Sequence, residues 1–292
     1  MYSVKGLFYA ILSSATFGLI PLFAIPAMQA GVAVNTVVFY RFFLSALVMG
    51  IIMLLRRTSL KITLQEYKTI CWLSIFYGAT SLLLTLSYLY IPSGTATTIH
   101  FLYPVLVTLI MILMFKERGN LPVYFATILA ICGVGLLGNA DDSGVFNTTG
   151  LTLALITVCT YATYIVGVQK SEVKHMDGLK MTFFVLANCA CIFLVNVLVQ
   201  DGGISPIPDV TTGINLLMLA LIPTLISNLT LILAVQHVGS TTTAILGCME
   251  PMTAVAMGVL FLGETCNHMQ LAGIGIILIS VTLVIIGRKK KG

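Results

Sequence analysis

The chain has 292 residues, of which 58% are apolar and only 9% are charged, and its mean hydropathy is +1.05. Soluble domains contain about 25% charged residues, so this composition excludes a water-soluble globular protein. The net charge of +5 comes from short basic segments between long apolar runs. We therefore expect the lipid bilayer as a partner, and no nucleic acid.

Ten apolar runs follow one another along the chain. A run of about 18 or more apolar residues is a candidate membrane helix. The first run follows Lys5, but it is longer than the core of a signal peptide, which has about 7–15 residues. The sequence therefore predicts an all-α integral membrane protein with ten transmembrane helices, spans one to ten, at residues 6–25, 34–55, 69–90, 95–115, 121–138, 150–169, 179–199, 213–235, 241–262 and 269–287.

The basic residues predict the orientation of these spans, because lysine and arginine are enriched in short cytoplasmic loops. If the N-terminus is inside, 14 of the 15 lysines and arginines fall on the cytoplasmic side, including the basic tail 288–292. The outer loops then contain acidic residues such as Asp141, Asp201 and Glu264. We predict that both termini are cytoplasmic.

Polar residues at helical spacing predict which spans face a common interior, since polar groups on a lipid-facing surface are costly. Spans one, three, four, six, eight and nine have such residues, so we expect these spans to surround a cavity and the other four to lie outside or at a packing interface. For any single hydroxyl or small residue, tighter helix packing is the alternative interpretation. The candidates for substrate binding are Phe17, Tyr77, Ser81, His100, Tyr103, Tyr161, Tyr164, Asn228 and Glu250.

The segments 93–120 and 240–267 form an internal repeat. An ungapped alignment at a constant offset of 147 positions gives six identities in 28, namely Ser93/Ser240, Thr95/Thr242, Pro104/Pro251, Leu113/Leu260, Glu117/Glu264 and Asn120/Asn267. These segments contain spans four and nine, so the chain divides into two five-helix repeats, 1–138 and 150–287. An odd number of spans inverts the second repeat in the membrane, and inverted repeats are typical of secondary transporters.

Short motifs in the second repeat resemble those of a known family. They are Glu250-Pro251, Gly263-Glu264, and Gly273 before the last apolar run. On these residues the chain resembles the EamA type of ten-span carrier in the drug/metabolite transporter superfamily, over nearly its whole length. The first repeat departs from the pattern, with Tyr103-Pro104 and Lys116-Glu117 at the equivalent positions. The resemblance implies export or exchange of small metabolites, often amino acids or related compounds.

Glu250 is the one charged residue within span nine, directly before Pro251. A proline removes a backbone donor and frees the carbonyl four residues earlier, so we expect the Gly247 carbonyl to be unpaired and Pro104 to break span four in the same way. Irregular backbone at this depth is tolerated where it is buried in protein or lines water. Glu250 is then expected to face the cavity, where it binds a substrate ammonium group or couples proton movement to transport. The alternative is a protonated acid that bonds a neighbouring helix.

Arg41 and His100 are the other ionisable candidates inside the spans. Arg41 lies about seven residues inside the outer end of span two, from where its side chain can reach outer headgroups or a buried carboxylate. An arginine near this place is also a common feature of the family that the chain resembles, which favours a structural or gating role. A single histidine in a membrane often forms a helix–helix hydrogen bond, which is the alternative to a cavity role for His100.

The sequence has no P-loop, no HExxH or GxSxG motif, and no zinc or haem spacing among its seven cysteines. We therefore predict no enzyme activity, no cofactor and no metal. The function predicted is secondary active transport, as an exporter or exchanger, of small metabolites by alternating access. Amino acids and related amphipathic compounds come first, because phosphate esters usually need more cationic groups than Arg41 alone.

Two alternatives remain open: a nucleotide-sugar or phosphate-ester exchanger, and a non-transporting scaffold or sensor with a carrier fold. We expect a monomeric functional unit and leave dimer formation open. The resemblance and the short loops favour the bacterial inner membrane.

Overall fold

The computed structural model describes residues 4–116, 125, 128–129, 131–133, 136, 147–231, 233–234, 237, 246–247, 249–265 and 267–289. All regular structure in these residues is helical. The helices are α1 Val4–Phe17, α2 Ile20–Gln29, α3 Val34–Leu55, α4 Leu64–Ser87, α5 Ser93–His100, α6 Tyr103–Leu113, α7 Thr148–Lys170, α8 Gly178–Gln200, α9 Val210–Ala220, α10 Met249–Phe261 and α11 His268–Lys289, with a 3₁₀ turn at Glu172–His175 and a π-helical stretch at Leu221–Ile226.

Within the described residues, seven helical segments are long and apolar enough to cross a membrane, and α10 and most of α11 are shorter apolar helices. Large apolar side chains also remain exposed on the outside of the protein, for example Leu113, Leu260 and Trp72. Such a surface requires an apolar solvent. These findings confirm the predicted all-helical membrane protein. Most of span five, 121–138, and residues 241–245 of span nine lie outside the described residues.

Spans one and four are each broken near the middle, just before a proline. The break in span one lies at Gly18 and Leu19, ahead of Pro21. The break in span four lies at Phe101 and Leu102, so that Pro104 stands in the first turn of α6. Proline is accommodated in the first turn because its missing N–H would have no helical partner there. The break predicted at Pro104 is therefore present.

Span eight widens into the π-helical stretch around Pro223. Pro223 has no N–H to offer the Leu219 carbonyl four residues earlier. The Thr224 hydroxyl donates to that carbonyl instead, at 3.0 Å. The sequence thus places a proline and the hydroxyl that replaces its lost hydrogen bond side by side.

Polar caps fix the ends of the helices that begin in loops. The Thr63 hydroxyl and the Glu66 carboxylate exchange hydrogen bonds with each other's backbone N–H groups, which forms a capping box at the start of α4. Asn147, Asp177 and Asp209 cap α7, α8 and α9 in the same sense, each accepting from a backbone N–H three residues later.

Helix packing brings α4 against α7 and α3 against α8 along most of their lengths. Phe42 of α3, Tyr77 of α4 and Phe193 of α8 form the aromatic centre of the largest buried apolar cluster. The Thr80 and Thr160 hydroxyls join α4 to α7 at 2.7 Å. Span two therefore lies at a packing interface with spans three and seven, which is one of the two positions expected for it.

Equivalent turns follow α6 and α10. Lys116 has a φ of 54° and Gly263 a φ of 69°, and both values lie in the left-handed region. The two residues occupy matching positions of the internal repeat, 147 positions apart. Glycine adopts this conformation at little cost, whereas lysine rarely does. The two copies share an unusual backbone turn despite their different residues.

Candidate functional site

Four tyrosines and a histidine from three spans meet in the interior. We define the tyrosine cluster as Tyr77 of α4, His100 and Tyr103 at the break in span four, and Tyr161 and Tyr164 of α7. The Tyr103 and Tyr161 rings are edge to face with centroids 4.6 Å apart, and the Tyr77 and Tyr164 centroids are 5.0 Å apart. His100 lies 5.1 Å from the Tyr161 ring. The structure therefore brings five of the nine predicted site residues into one cluster.

The Tyr77 hydroxyl is the unsatisfied group of this cluster. Tyr77 is only 7% exposed, and its hydroxyl lies near the Asn228 amide without forming a hydrogen bond of normal geometry with any described residue. A buried polar atom without a partner costs about 1–3 kcal/mol, so such atoms call for an explanation such as a bound molecule. A hydroxyl that can donate and accept is thus available inside the cluster.

His100 forms a helix–helix hydrogen bond. Its Nδ1 lies 2.9 Å from the Thr157 hydroxyl of α7. Because Thr157 already donates its one hydroxyl hydrogen to the Ala154 carbonyl, His100 Nδ1–H must be the donor. In the neutral ring the Nε2 atom then remains an acceptor.

Glu250 lies at the start of α10, close to the break in span one. Gly18 makes this approach possible, because a Cβ atom there would collide with the Glu250 carbonyl and with Thr253. The Glu250 carboxyl is half-buried and has no hydrogen bond or ion pair in the described structure. Its helix, α10, packs against α1 and against α5, the helix that ends at His100.

The carbonyl that Pro251 frees is not left unpaired. The Ser14 hydroxyl of α1 donates to the Gly247 carbonyl at 2.7 Å, and the Glu250 N–H donates to it at 3.0 Å. The predicted unpaired carbonyl is therefore wrong. A serine of span one replaces the hydrogen bond that proline removes, and it ties span one to span nine.

Arg41 is buried and points inward from α3. It is 5% exposed, its Nε donates to Thr224 and its Nη1 donates to Ser81, both at 2.9 Å. The described structure gives it no ion pair and no contact of Nη2 with an acceptor. Its side chain therefore bonds neutral hydroxyls of spans three and eight.

The remaining predicted residues lie around this arrangement. Ser81 holds Arg41, as described, and Asn228 is half-buried with its amide on the Thr224 carbonyl at 2.5 Å. Phe17 packs instead on a separate apolar cluster that includes Leu84 and Tyr88. Phe17 is therefore not part of the tyrosine cluster.

The sequence analysis did not include Arg41 and Thr224 among the candidate residues for substrate binding. A signal for both was present, because a buried guanidinium needs acceptors and the polar stripes of spans three and eight supply hydroxyls. The two hydroxyls that bond Arg41 lie 40 and 183 positions away from it in the chain, so the sequence pattern alone does not identify them.

A sequence model of the EamA-like transporter family matches residues 4–139 and 148–286. The threonine/homoserine exporter RhtA of Escherichia coli K12 is 30% identical over 214 residues, which cover 70% of this chain and 68% of RhtA. An uncharacterized transporter of Synechocystis sp. is 23% identical over 204 residues, which cover 69% of this chain and 61% of that relative. This alignment thus spans less than two thirds of the Synechocystis protein.

One solved crystal structure has the same fold over nearly the whole chain. It superposes with a TM-score of 0.68 and covers 99% of this chain and 98% of its own. The two sequences are 16% identical, so the likeness concerns the fold alone.

Proposed function

The chain belongs to the EamA-like transporter family, and on this premise we propose that it is a secondary transporter that moves amino acids or related amphipathic compounds by alternating access. It is a multi-pass membrane protein and a transporter of small metabolites by family. The observation that supports the proposal most is the tyrosine cluster, in which four tyrosine side chains and His100 meet beside the break in span four. A small molecule with polar and apolar parts fits such a place.

Ten spans in two inverted repeats, 1–138 and 150–287, are part of the proposal. The matching left-handed turns at Lys116 and Gly263 support the equivalence of spans four and nine. The start of α5 also lies against α10, where Gly94 lies close to Val255 and the Ser93 N–H donates to the Glu264 carboxylate just after the end of α10. Two neighbouring helices that meet start to end run in opposite directions, as inverted repeats require.

The substrate class rests on the charges inside the protein and on one relative. The interior holds one basic and one acidic side chain, Arg41 and Glu250, whereas phosphate esters are usually bound by several lysines or arginines. RhtA, by its name, exports threonine and homoserine. Zwitterionic amino acids are the class that agrees with both.

We place the protein in a bacterial inner membrane with both termini in the cytoplasm. Bacterial relatives and the cytoplasmic excess of lysine and arginine support this orientation. Reporter fusions at either terminus should be active as cytoplasmic reporters and inactive as periplasmic ones. The opposite pattern contradicts the orientation.

Glu250 has two roles open to it in this carrier. It binds the substrate ammonium group, or it exchanges a proton in step with transport. Purified protein in liposomes separates them through uptake of labelled L-threonine, L-homoserine, L-leucine and L-phenylalanine, with and without a pH gradient. The variants are Glu250→Gln and, as a matched control, Glu172→Gln at the exposed 3₁₀ turn.

If a pH gradient drives accumulation and Glu250→Gln loses only that coupling while it keeps exchange, Glu250 is the proton site. Loss of both exchange and binding in a folded variant assigns it to the substrate. If the wild type moves none of the four amino acids, the proposed substrate class is wrong. The control variant should behave as wild type in every condition.

A further inference from the structure

Arg41 carries a buried charge to which no carboxylate is bonded among the described residues. Its guanidinium is hydrogen-bonded by two neutral hydroxyls, those of Ser81 and Thr224, rather than by a carboxylate. Burying a charge without a counter-charge is costly. Nη2 retains N–H donors that no described residue accepts. The arrangement fixes the guanidinium and leaves one edge of it available.

The two hydrogen bonds to Arg41 fix its guanidinium in place but do not neutralise its charge. Thr224 uses its hydroxyl hydrogen on the Leu219 carbonyl, which Pro223 has left without a helical partner. The Thr224 oxygen can therefore only accept from Arg41. The π-helical stretch thus presents a neutral acceptor to Nε.

Glu250 is the acidic side chain that complements Arg41 inside the protein. Its carboxyl likewise has no hydrogen bond and no ion pair in the described structure. Hydrogen bonds through α1 link the surroundings of the two residues. Thr224 of span eight accepts from Arg41, and Ser227 of the same span bonds the Thr16 hydroxyl of α1. Ser14 of α1 then donates to the Gly247 carbonyl, three residues before Glu250.

We propose that Arg41 and Glu250 form a divided zwitterion site, in which Arg41 binds the α-carboxylate and Glu250 the α-ammonium group of one amino acid. The Tyr77 hydroxyl, on the same helix as Ser81, bonds the substrate, while the Tyr77 ring lies against the other rings of the tyrosine cluster. This inference rests on the proposed function and names Arg41 as a specificity-determining residue. A molecule with only one of the two charges leaves the other protein charge unpaired, so the site selects against it.

The test compares three forms of one substrate. The labelled amino acid is the one exchanged fastest by wild-type proteoliposomes among L-threonine, L-homoserine, L-leucine and L-phenylalanine. Competitors are the same unlabelled amino acid, its methyl ester, which lacks the carboxylate, and its N-acetyl derivative, which lacks the ammonium group. In the wild type, we expect each modified form to compete at least about tenfold more weakly than the free amino acid, because bonds between charged groups are among the strongest that a site makes.

Two variants test which residue binds the carboxylate and which binds the ammonium group. In Arg41→Gln, the methyl ester should compete no more than about threefold more weakly than the free amino acid, because both the guanidinium and the carboxylate that it binds are then absent. The N-acetyl form should still compete at least about tenfold more weakly. Glu250→Gln should show the reverse pattern. Arg56→Gln, which removes the same charge at the exposed end of α3, should keep both penalties.

The outcomes separate this inference from the function on which it rests. If wild-type protein exchanges none of the amino acids, the proposed function fails and the divided site fails with it. If exchange occurs and the ester and N-acetyl forms compete as well as the free amino acid, only the divided site is overturned. This second result needs the wild type alone, so it remains decisive even if Arg41→Gln does not fold.

Discussion

At the scale of single residues, Gly18 determines how closely span one approaches span nine. A Cβ atom at Gly18 would lie 2.7 Å from the Thr253 Cβ and 3.1 Å from the Ala254 nitrogen, besides its contact with the Glu250 carbonyl. Because two of these neighbours are backbone atoms, a side chain there cannot be accommodated by a rotamer change. Gly18 thus sets the position of Glu250.

We predict that Gly18→Ala destabilises the protein by about 1–3 kcal/mol, the usual cost of overpacking a well-packed interior, and slows transport. Thermal unfolding of the purified variant and its exchange rate measure the two effects. Gly275→Ala is the matched control, since a Cβ atom at this helical glycine meets nothing within 4 Å. That control should be neutral or slightly stabilised, and equal behaviour of the two variants contradicts the close approach.

At the scale of helices, Glu264 connects the end of α10 to the start of α5. The left-handed turn at Gly263 ends α10, with the N–H groups of Leu262 and Glu264 on the Gly258 carbonyl. The Glu264 carboxylate then accepts from the Ser93 N–H at 2.7 Å and from the Gly94 N–H at 3.4 Å. These N–H groups belong to the first turn of α5, where a negative charge is favourable. The Gly263-Glu264 motif is therefore a cap supplied by another helix.

Removing this cap should loosen the junction of α5 and α10. We expect Glu264→Ala to cost about 0.5–2 kcal/mol, as the loss of a helix cap usually does. Glu264→Gln keeps an acceptor oxygen and loses the charge, so its cost should be smaller, about 0.3–1 kcal/mol. Thermal unfolding should rank wild type above the glutamine variant and the alanine variant last. An alanine variant as stable as wild type contradicts the cap.

Hydropathy and proline positions predict the helices well because they depend on residues that are close in sequence. Span two, predicted at 34–55, is observed at Val34–Leu55, and the break at Pro104 is observed at Phe101 and Leu102. The cross-helix bonds could not be predicted in this way. Ser14 meets the Gly247 carbonyl 233 positions away, and its identity as the partner follows only from packing.

The candidate site was predictable in its residue types and less so in its assembly. Tyr161 and Tyr164 were recognisable from their polar neighbours on one helix face, and the structure places both beside Tyr77. Phe17 shared the small-residue stripe of span one, yet at the end of α1, just before the break at Gly18 and Leu19, it packs against another cluster. A pattern along one helix identifies a face and does not identify what that face meets.

At the scale of the whole molecule, the broken helices and the family assignment describe a carrier rather than a static scaffold. Spans one and four are interrupted at depth in the protein, and span eight widens at Pro223. Discontinuous helices at the level of a binding site are a common feature of secondary transporters, in which the two halves rock about a central site. The central claim is that one substrate site is exposed alternately to each side.

Counterflow measures this claim directly. Proteoliposomes are loaded with a high concentration of unlabelled amino acid, diluted, and supplied with a trace of the same labelled amino acid outside. A carrier with one alternating site should accumulate label transiently above its outside concentration, because the internal unlabelled substrate returns the site to the outside. If label only equilibrates, as through a channel, or does not enter because the protein is a scaffold, the alternating-access account is contradicted.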